Sequence, residues 1–146
     1  MRDNFTLSVN EQRRRDMSTV LNFFLWLTRR SDVNLADYES SLTDTIALLH
    51  KIKGPPSSSK FVLTLGEFLM VYTGAQYLYK AMASNAGIEY INDIPGSTSN
   101  ADWIEKQKKY FIIASQLLIK ECESKFEDLP DFAKERMWLD KQLQPF

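Results

Sequence analysis

The stretch FVLTLGEFLMVYTGAQYLYKAM, residues 61–82, constrains the fold most, because it is almost long and apolar enough to cross a membrane. A membrane span needs about 20 predominantly apolar residues. This stretch carries Glu67, Gln76 and Lys80, and a charge near the middle of a bilayer costs about 3 kcal/mol on insertion scales. We therefore expect the central helix of a soluble bundle, contacted by its neighbours on most of its circumference, and no membrane partner.

Two details of this stretch leave structural choices open. Gly74 costs about 1 kcal/mol relative to alanine inside a helix, a cost that the close approach of another helix offsets. The first residues, 61–65, either begin the helix or form a short extended lead-in, since Val62, Leu63 and Thr64 tolerate an extended backbone.

Apolar residues recur at three- and four-residue steps elsewhere, which indicates further helices. On the first predicted helix this row consists of Met17, Val20, Leu21 and Phe24. On the fourth helix one apolar face comprises Ile104, Phe111, Leu118 and Cys122, and we expect it to be widened by Trp103, Tyr110, Ile113 and Leu117. Besides the central stretch, helices are predicted over about 8–30, 35–53, 99–126 and 129–143.

Breaks between the helices complete the predicted architecture. GPPSSS, residues 54–59, is a connector, and IEYINDIPGSTSN, residues 88–100, is a loop with at most a short helical turn near 88–94. Residues 1–7 are a short tail. The prediction is an all-α fold, a single-domain bundle of about five helices that spans residues 1–146.

The composition limits the classes of function. With 18 basic and 19 acidic residues the net charge is −1, so the whole molecule has no strong non-specific attraction to nucleic acid. One cysteine and one histidine exclude a structural zinc site of the Cys/His type within one chain. The N-terminus lacks the apolar segment of a secretory signal, so we expect an intracellular protein, cytoplasmic or nuclear.

Catalytic motifs are missing from the sequence. Cys122 lies on the apolar face of a helix beside two glutamates, and His50 has no sequence neighbour that would orient it as a base. The chain has no glycine-rich phosphate loop, GxSxG or HExxH. We expect no catalytic activity, no cofactor and no metal.

The aromatic segment VLNFFLWL, residues 20–27, is the most suggestive candidate for a partner-binding site. At about 100° per residue, Phe23 and Trp26 lie about 100° and 160° from Phe24, so one face cannot bury all three. Either neighbours surround this helix, or Phe23 and Trp26 form a docking patch rimmed by Arg29 and Arg30. Trp138 is a second candidate for the same role.

Two groups of basic residues support an alternative. Arg13, Arg14 and Arg15 lie early in the first helix, where the helix dipole disfavours them, and a second group comprises Lys106, Lys108 and Lys109. Contact with phosphates would explain the placement of the arginines, and so would salt bridges to a partner or simple solvation.

The resulting prediction is a non-catalytic protein–protein interaction module that acts as an inhibitor, an adaptor or a small subunit of an assembly. Its partner is another protein or its own copy. One alternative is a nucleic-acid-associated helical protein. Another is a ligand-binding or enzymatic bundle whose internal pocket is lined by tyrosines, namely Tyr72, Tyr77, Tyr79, Tyr90 and Tyr110.

Overall fold

The computed structural model describes residues 4–8, 11–28, 46–48, 50, 60–125, 127, 131 and 134. Its elements, in chain order, are strand β1 (Asn4–Ser8), helix α1 (Glu11–Thr28), strand β2 (Lys60–Thr64) and helices α2 (Leu65–Ala81), α3 (Asn85–Asp93) and α4 (Ala101–Glu123). Residues 46–48 and 50 are also helical. The predicted all-α bundle of about five helices is confirmed. That it forms one domain stays a prediction, and the connector 54–59 lies outside the described residues.

Helix α2 begins where an extended segment ends, so the alternative of a short lead-in is confirmed. Thr64 caps the helix through two reciprocal hydrogen bonds with Glu67. The Glu67 amide donates to Thr64 Oγ1 at 3.2 Å, and the Thr64 amide donates to Glu67 Oε1 at 2.9 Å. This capping box satisfies two amides that lack helical partners, and it fixes the change from strand to helix at Leu65.

Helix α2 is the centre of the bundle, as predicted. It contacts α1, α3, α4 and both strands, and its residues from Phe68 to Leu78 are buried or half-buried. The predicted close approach at Gly74 is confirmed, because a Cβ atom there would lie 2.9 Å from Val20 Cγ1 of α1. Among the described helices, none has the length and the apolar character required to cross a membrane.

The predicted tail 1–7 is corrected by strand β1. Residues Asn4–Ser8 pair with β2 in an antiparallel register that runs from Asn4 opposite Thr64 to Ser8 opposite Lys60. The physical reason is that an extended β2 presents backbone donors and acceptors that need partners, and β1 provides them. Helix α1 accordingly begins at Glu11, after the strand, and not at residue 8.

Within the predicted loop 88–100, the alternative of a short helical turn near 88–94 is confirmed, and the loop prediction is corrected there, because these residues belong to helix α3. Ser84 caps this helix by accepting a hydrogen bond from the Ala86 amide at 3.3 Å. Gly87 allows the close packing of α3 against the end of α2, since a Cβ atom there would lie 2.5 Å from the carbonyl oxygen of Ala81. Residues 94–100 are non-helical, and Gly96 adopts a φ of 81°.

Helix α4 starts at Ala101, two residues after the predicted start at residue 99, and Asn100 caps it. Asn100 Oδ1 accepts hydrogen bonds from the amides of Asp102 and Trp103, at 2.9 and 3.1 Å. Helices α1 and α4 run antiparallel, because the start of α1 contacts the end of α4 through Arg13 and Glu121. The inner side of α4 is buried against α1, α2 and α3, with Phe111, Ala114, Ser115, Leu118 and Cys122 in the core.

Candidate functional site

The aromatic residues that the sequence suggested as a docking patch lie in or against the core. Phe23 is completely buried, and its ring meets the Tyr90 ring edge-on at 5.0 Å. Trp26 is half-buried, and its Nε1 donates to Asp93 Oδ2 at 2.7 Å. Phe23 is therefore not an exposed docking residue in this structure, because α3 covers this side of α1, and its role in partner binding stays a prediction. The other three candidates, Arg29, Arg30 and Trp138, lie outside the described residues.

Tyr90 explains how a short helix covers these aromatics. Its ring contacts Phe23, Trp26 and Phe111, at centroid distances of 5.0, 5.2 and 5.6 Å. Burial raises the pKa of Tyr90 to about 12. Aromatic pairs of this kind contribute about 0.5–1.5 kcal/mol beyond the apolar area that they bury. Tyr90 thus connects α1, α3 and α4 at one side of the bundle.

The two basic groups lie apart. Arg13 Nε is 2.6 Å from Glu121 Oε2, and Arg13 Nη1 is 3.7 Å from Asp16 Oδ2, so this arginine ties α1 to α4. Glu121 lies thirteen residues beyond Lys108 on the same helix, about 20 Å along its axis. The structure therefore does not bring Arg13, Arg14 and Arg15 together with Lys106, Lys108 and Lys109 into one basic patch.

A polar cluster surrounds Arg13 at this end of the bundle. Asp16 is almost completely buried and accepts a hydrogen bond from Gln12 Nε2 at 2.9 Å. Burial raises the pKa of Asp16, while the bond from Gln12 and the charge of Arg13 act in the opposite direction. Cys122 is completely buried next to this cluster, and burial raises its pKa, so the thiol stays protonated and is a poor nucleophile.

The tyrosines that could have lined an internal pocket are dispersed. Tyr72 is buried and donates to Glu123 Oε1 at 2.9 Å, and burial raises its pKa. Tyr77 stacks on Phe24 at a centroid distance of 6.2 Å. Tyr79 and Tyr110 are exposed on different helices. These five side chains therefore do not face a common space.

Three of the six exposed large apolar residues in the described part of the chain lie on helix α4. Tyr110, Ile113 and Leu117 are 38%, 57% and 41% exposed. The expectation that these three residues widen the buried face of the helix is therefore wrong. Helices α1, α2 and α3 cover only the inner side of α4, and no described element lies over the outer side.

Exposed lysines frame these apolar residues. Lys106 and Lys120 are each seven residues from Ile113 and so lie within about 20° of it around the helix axis. Lys109 is also exposed on this side. We use the name outward row for the set Lys106, Lys109, Tyr110, Ile113, Leu117 and Lys120. The helical period of the sequence gives the spacing of this row, but not the fact that no described element lies over this side.

Metal binding finds no support in the described part of the chain. No group of three or more histidine, cysteine, aspartate or glutamate side chains is placed there to hold an ion. The only cysteine is buried, and the only histidine, His50, is exposed and helical, like residues 46–48.

No known protein family matches the chain, and we find no significant similarity to any curated protein or solved structure. On the surface of the described residues, the outward row is the candidate functional site.

Proposed function

We propose that this chain is a non-catalytic protein-binding module, acting as an inhibitor, an adaptor or a small subunit of an assembly. The outward row of α4 carries the proposal, with another protein as its occupant. Single exposed apolar residues are normal on protein surfaces, whereas adjoining ones mark interaction sites. Tyr110, Ile113 and Leu117 are adjoining, since they follow each other at three- and four-residue steps on one helix face.

The helix that carries the row is held firmly from its inner side. Phe111, Leu118 and Cys122 anchor it in the core. Near its C-terminal end, Glu121 contacts Arg13 of α1 and Glu123 accepts a hydrogen bond from Tyr72 of α2. A preformed surface loses little conformational entropy when it binds, so more of the contact free energy remains as affinity.

The side chains of the row also suit a protein interface. Tyr110 is an aromatic residue of the type that is enriched at binding hot spots, and its hydroxyl lies 3.4 Å from Thr19 Oγ1, which orients the ring. The aliphatic stems of Lys106, Lys109 and Lys120 extend the apolar surface while their charged ends stay in water.

The nucleic-acid alternative has less support. Arg13 is already paired within the protein, and the two basic groups lie about 20 Å apart. Apolar side chains occupy the middle of the row, where a phosphate backbone would need positive charge.

The proposal is tested by comparing the wild-type chain with Ile113→Asp and Ile88→Asp as baits in an extract of the cells that express it. Ile88 is a matched control, because it is an isoleucine that is 38% exposed on a different helix, α3. We expect proteins that bind the wild type and Ile88→Asp but not Ile113→Asp, as measured by quantitative mass spectrometry. Equal capture by all three chains, or no capture at all, contradicts the proposal. Circular dichroism confirms that each variant is folded.

A further inference from the structure

We infer that the partner segment is an acidic amphipathic helix that lies lengthwise along the outward row. This inference rests on the proposed function and names the partner's chemistry. The row runs from Lys106 to Lys120, about 21 Å along the helix axis, which is the length of roughly four helical turns. A partner helix of the same length covers it completely.

The charges of the row indicate which charge the partner segment should carry. Between Lys106 and Lys120 the charged residues on this side, Lys106, Lys109 and Lys120, are all positive and exposed, although the whole chain has a net charge of −1. Asp102 lies on the same side of the helix, one turn before the row. The positive strip therefore does not follow from the overall composition. Complementary potentials across an interface favour the right partner and disfavour like-charged ones. Carboxylates on the partner match this strip.

The spacing of the lysines indicates that the partner segment is a helix. Lys106 and Lys120 lie two turns before and two turns after Ile113, which is the seven-residue repeat of packed helices. A partner helix with an apolar residue opposite Ile113 and carboxylates seven residues to either side pairs both lysines at once. Helices packed in this way cross at about 20°, so contact persists along several turns.

Lys106 and Lys120 lie symmetrically about Ile113, and this placement disfavours a second copy of the chain as the partner. When two copies pack with Ile113 against Ile113, an antiparallel arrangement places Lys106 opposite Lys120 of the second copy. A parallel arrangement places each lysine opposite its own counterpart. Like charges meet in both cases, and they destabilise the pair.

Polyanionic surfaces fit less well than a helix with discrete carboxylates. Asp102 and Glu105 are exposed near the start of α4, and Glu123 is exposed at its end. These carboxylates repel a phosphate backbone or an anionic membrane that extends beyond the row. A partner helix that ends within the row avoids them.

The probe is a synthetic amphipathic peptide of about 15 residues, the length of the row, with a central leucine and glutamates seven residues to either side. Its matched control carries lysines in place of the glutamates. Fluorescence anisotropy measures the binding of both peptides to the full-length chain. We expect the acidic peptide to bind the wild type about tenfold more tightly than the basic one.

Two variants sharpen this test. In Lys106→Glu/Lys120→Glu the preference reverses in favour of the basic peptide, while Ile113→Asp weakens the binding of both peptides. All three positions are exposed, so the variants are expected to fold, and the melting temperature checks this. Equal affinity of the two peptides for the wild type, or a preference that the charge reversal leaves unchanged, overturns the inference.

Other occupants are tested with the same variants. Binding of phosphatidylserine vesicles or duplex DNA that charge reversal abolishes assigns the row to a polyanion and overturns the inference. A wild-type dimer that Ile113→Asp converts to a monomer, as measured by light scattering, assigns it to a second copy.

The cell-extract experiment separates the two levels of the proposal. If the captured proteins depend on Ile113 but not on Lys106 and Lys120, the acidic helix is wrong and the protein-binding function stands. If capture does not depend on Ile113, both fail.

Discussion

Helices α2 and α4 carry large apolar residues at the same helical period, yet their surroundings differ. Helix α2 contacts α1, α3, α4 and both strands, so its side chains from Phe68 to Leu78 are buried or half-buried. Among the described elements, α1, α2 and α3 contact the inner side of helix α4, whereas Tyr110, Ile113 and Leu117 are exposed on its outer side. An apolar residue therefore contributes to the core on α2, whereas on the outer side of α4 it is available to a partner.

The largest effect is expected when one apolar side chain on each of the two helices is truncated to alanine. Phe68→Ala removes a completely buried side chain and is expected to lower the free energy of unfolding by about 3–5 kcal/mol. Ile113→Ala, at an exposed position, is expected to change it by less than about 0.5 kcal/mol. Urea denaturation of both variants measures the difference. A loss of similar size at both positions would show that α4 is covered as α2 is.

Gly74 tests how closely α1 and α2 approach. Because its Cβ would lie 2.9 Å from Val20 Cγ1, Gly74→Ala is expected to lower the free energy of unfolding by about 1 kcal/mol, although alanine favours helix. In a Val20→Ala background the clash is relieved, and Gly74→Ala is expected to become stabilising by up to about 1 kcal/mol. A Gly74→Ala effect of the same sign in both backgrounds would contradict the contact.

Trp26 tests how α3 covers the first helix. Trp26→Phe removes the hydrogen bond from Nε1 to Asp93 Oδ2 and is expected to cost about 1 kcal/mol of stability. Asp93→Ala removes the other partner, so the two changes together should cost less than the sum of their separate effects. Thermal unfolding of the four chains measures this coupling. Strict additivity would show that the hydrogen bond does not contribute.

Asp16 gives an expected pH dependence. Burial raises its pKa in the folded chain above 3.8, so the folded state retains this proton to higher pH than the unfolded state. The free energy of unfolding of the wild type should therefore fall relative to Asp16→Asn as pH rises from about 4. The difference becomes constant once the pH exceeds the pKa of the folded state. Urea unfolding of both chains across this pH range measures the difference between their free energies of unfolding. If the wild type instead gains stability relative to Asp16→Asn as pH rises, Asp16 is not buried as described.

Much of the helical framework was predictable from the sequence. On α1, the row Met17, Val20, Leu21 and Phe24 is buried as its spacing indicated. On α2, the polar residues within an apolar stretch indicated a bundle helix, and Gly74 indicated a close neighbour. These features follow from local spacing and from the cost of burying charge, which the sequence contains directly.

Strand β1 was missed and the extent of helix α3 was underestimated, because contacts distant in sequence stabilise both elements. Strand β1 is five residues long and depends on pairing with β2, more than fifty residues away. Helix α3 has nine residues, too few for stability in isolation, and it depends on burying Ile91 and Tyr90. Because the extent of α3 was not predicted, Phe23 was expected to be exposed to a partner, whereas Tyr90 covers it.

The outward row was missed for the opposite reason. The period of α4 shows which residues share a side of the helix, but not which sides have neighbours. Ile113 and Leu117 follow the same pattern as core residues, and only the positions of α1, α2 and α3 show that they stay exposed.

The central claim is that Ile113 faces solvent in the free protein, and methyl NMR of isoleucine-labelled chain with a soluble nitroxide tests it most directly. The chain holds its own references, since Ile88 is exposed and Ile91 is completely buried. We predict that the nitroxide broadens the Ile113 methyl signal at least as strongly as that of Ile88, while the Ile91 signal persists. If the Ile113 signal is protected like that of Ile91, the chain itself covers the outward row, and the docking surface proposed for α4 is wrong.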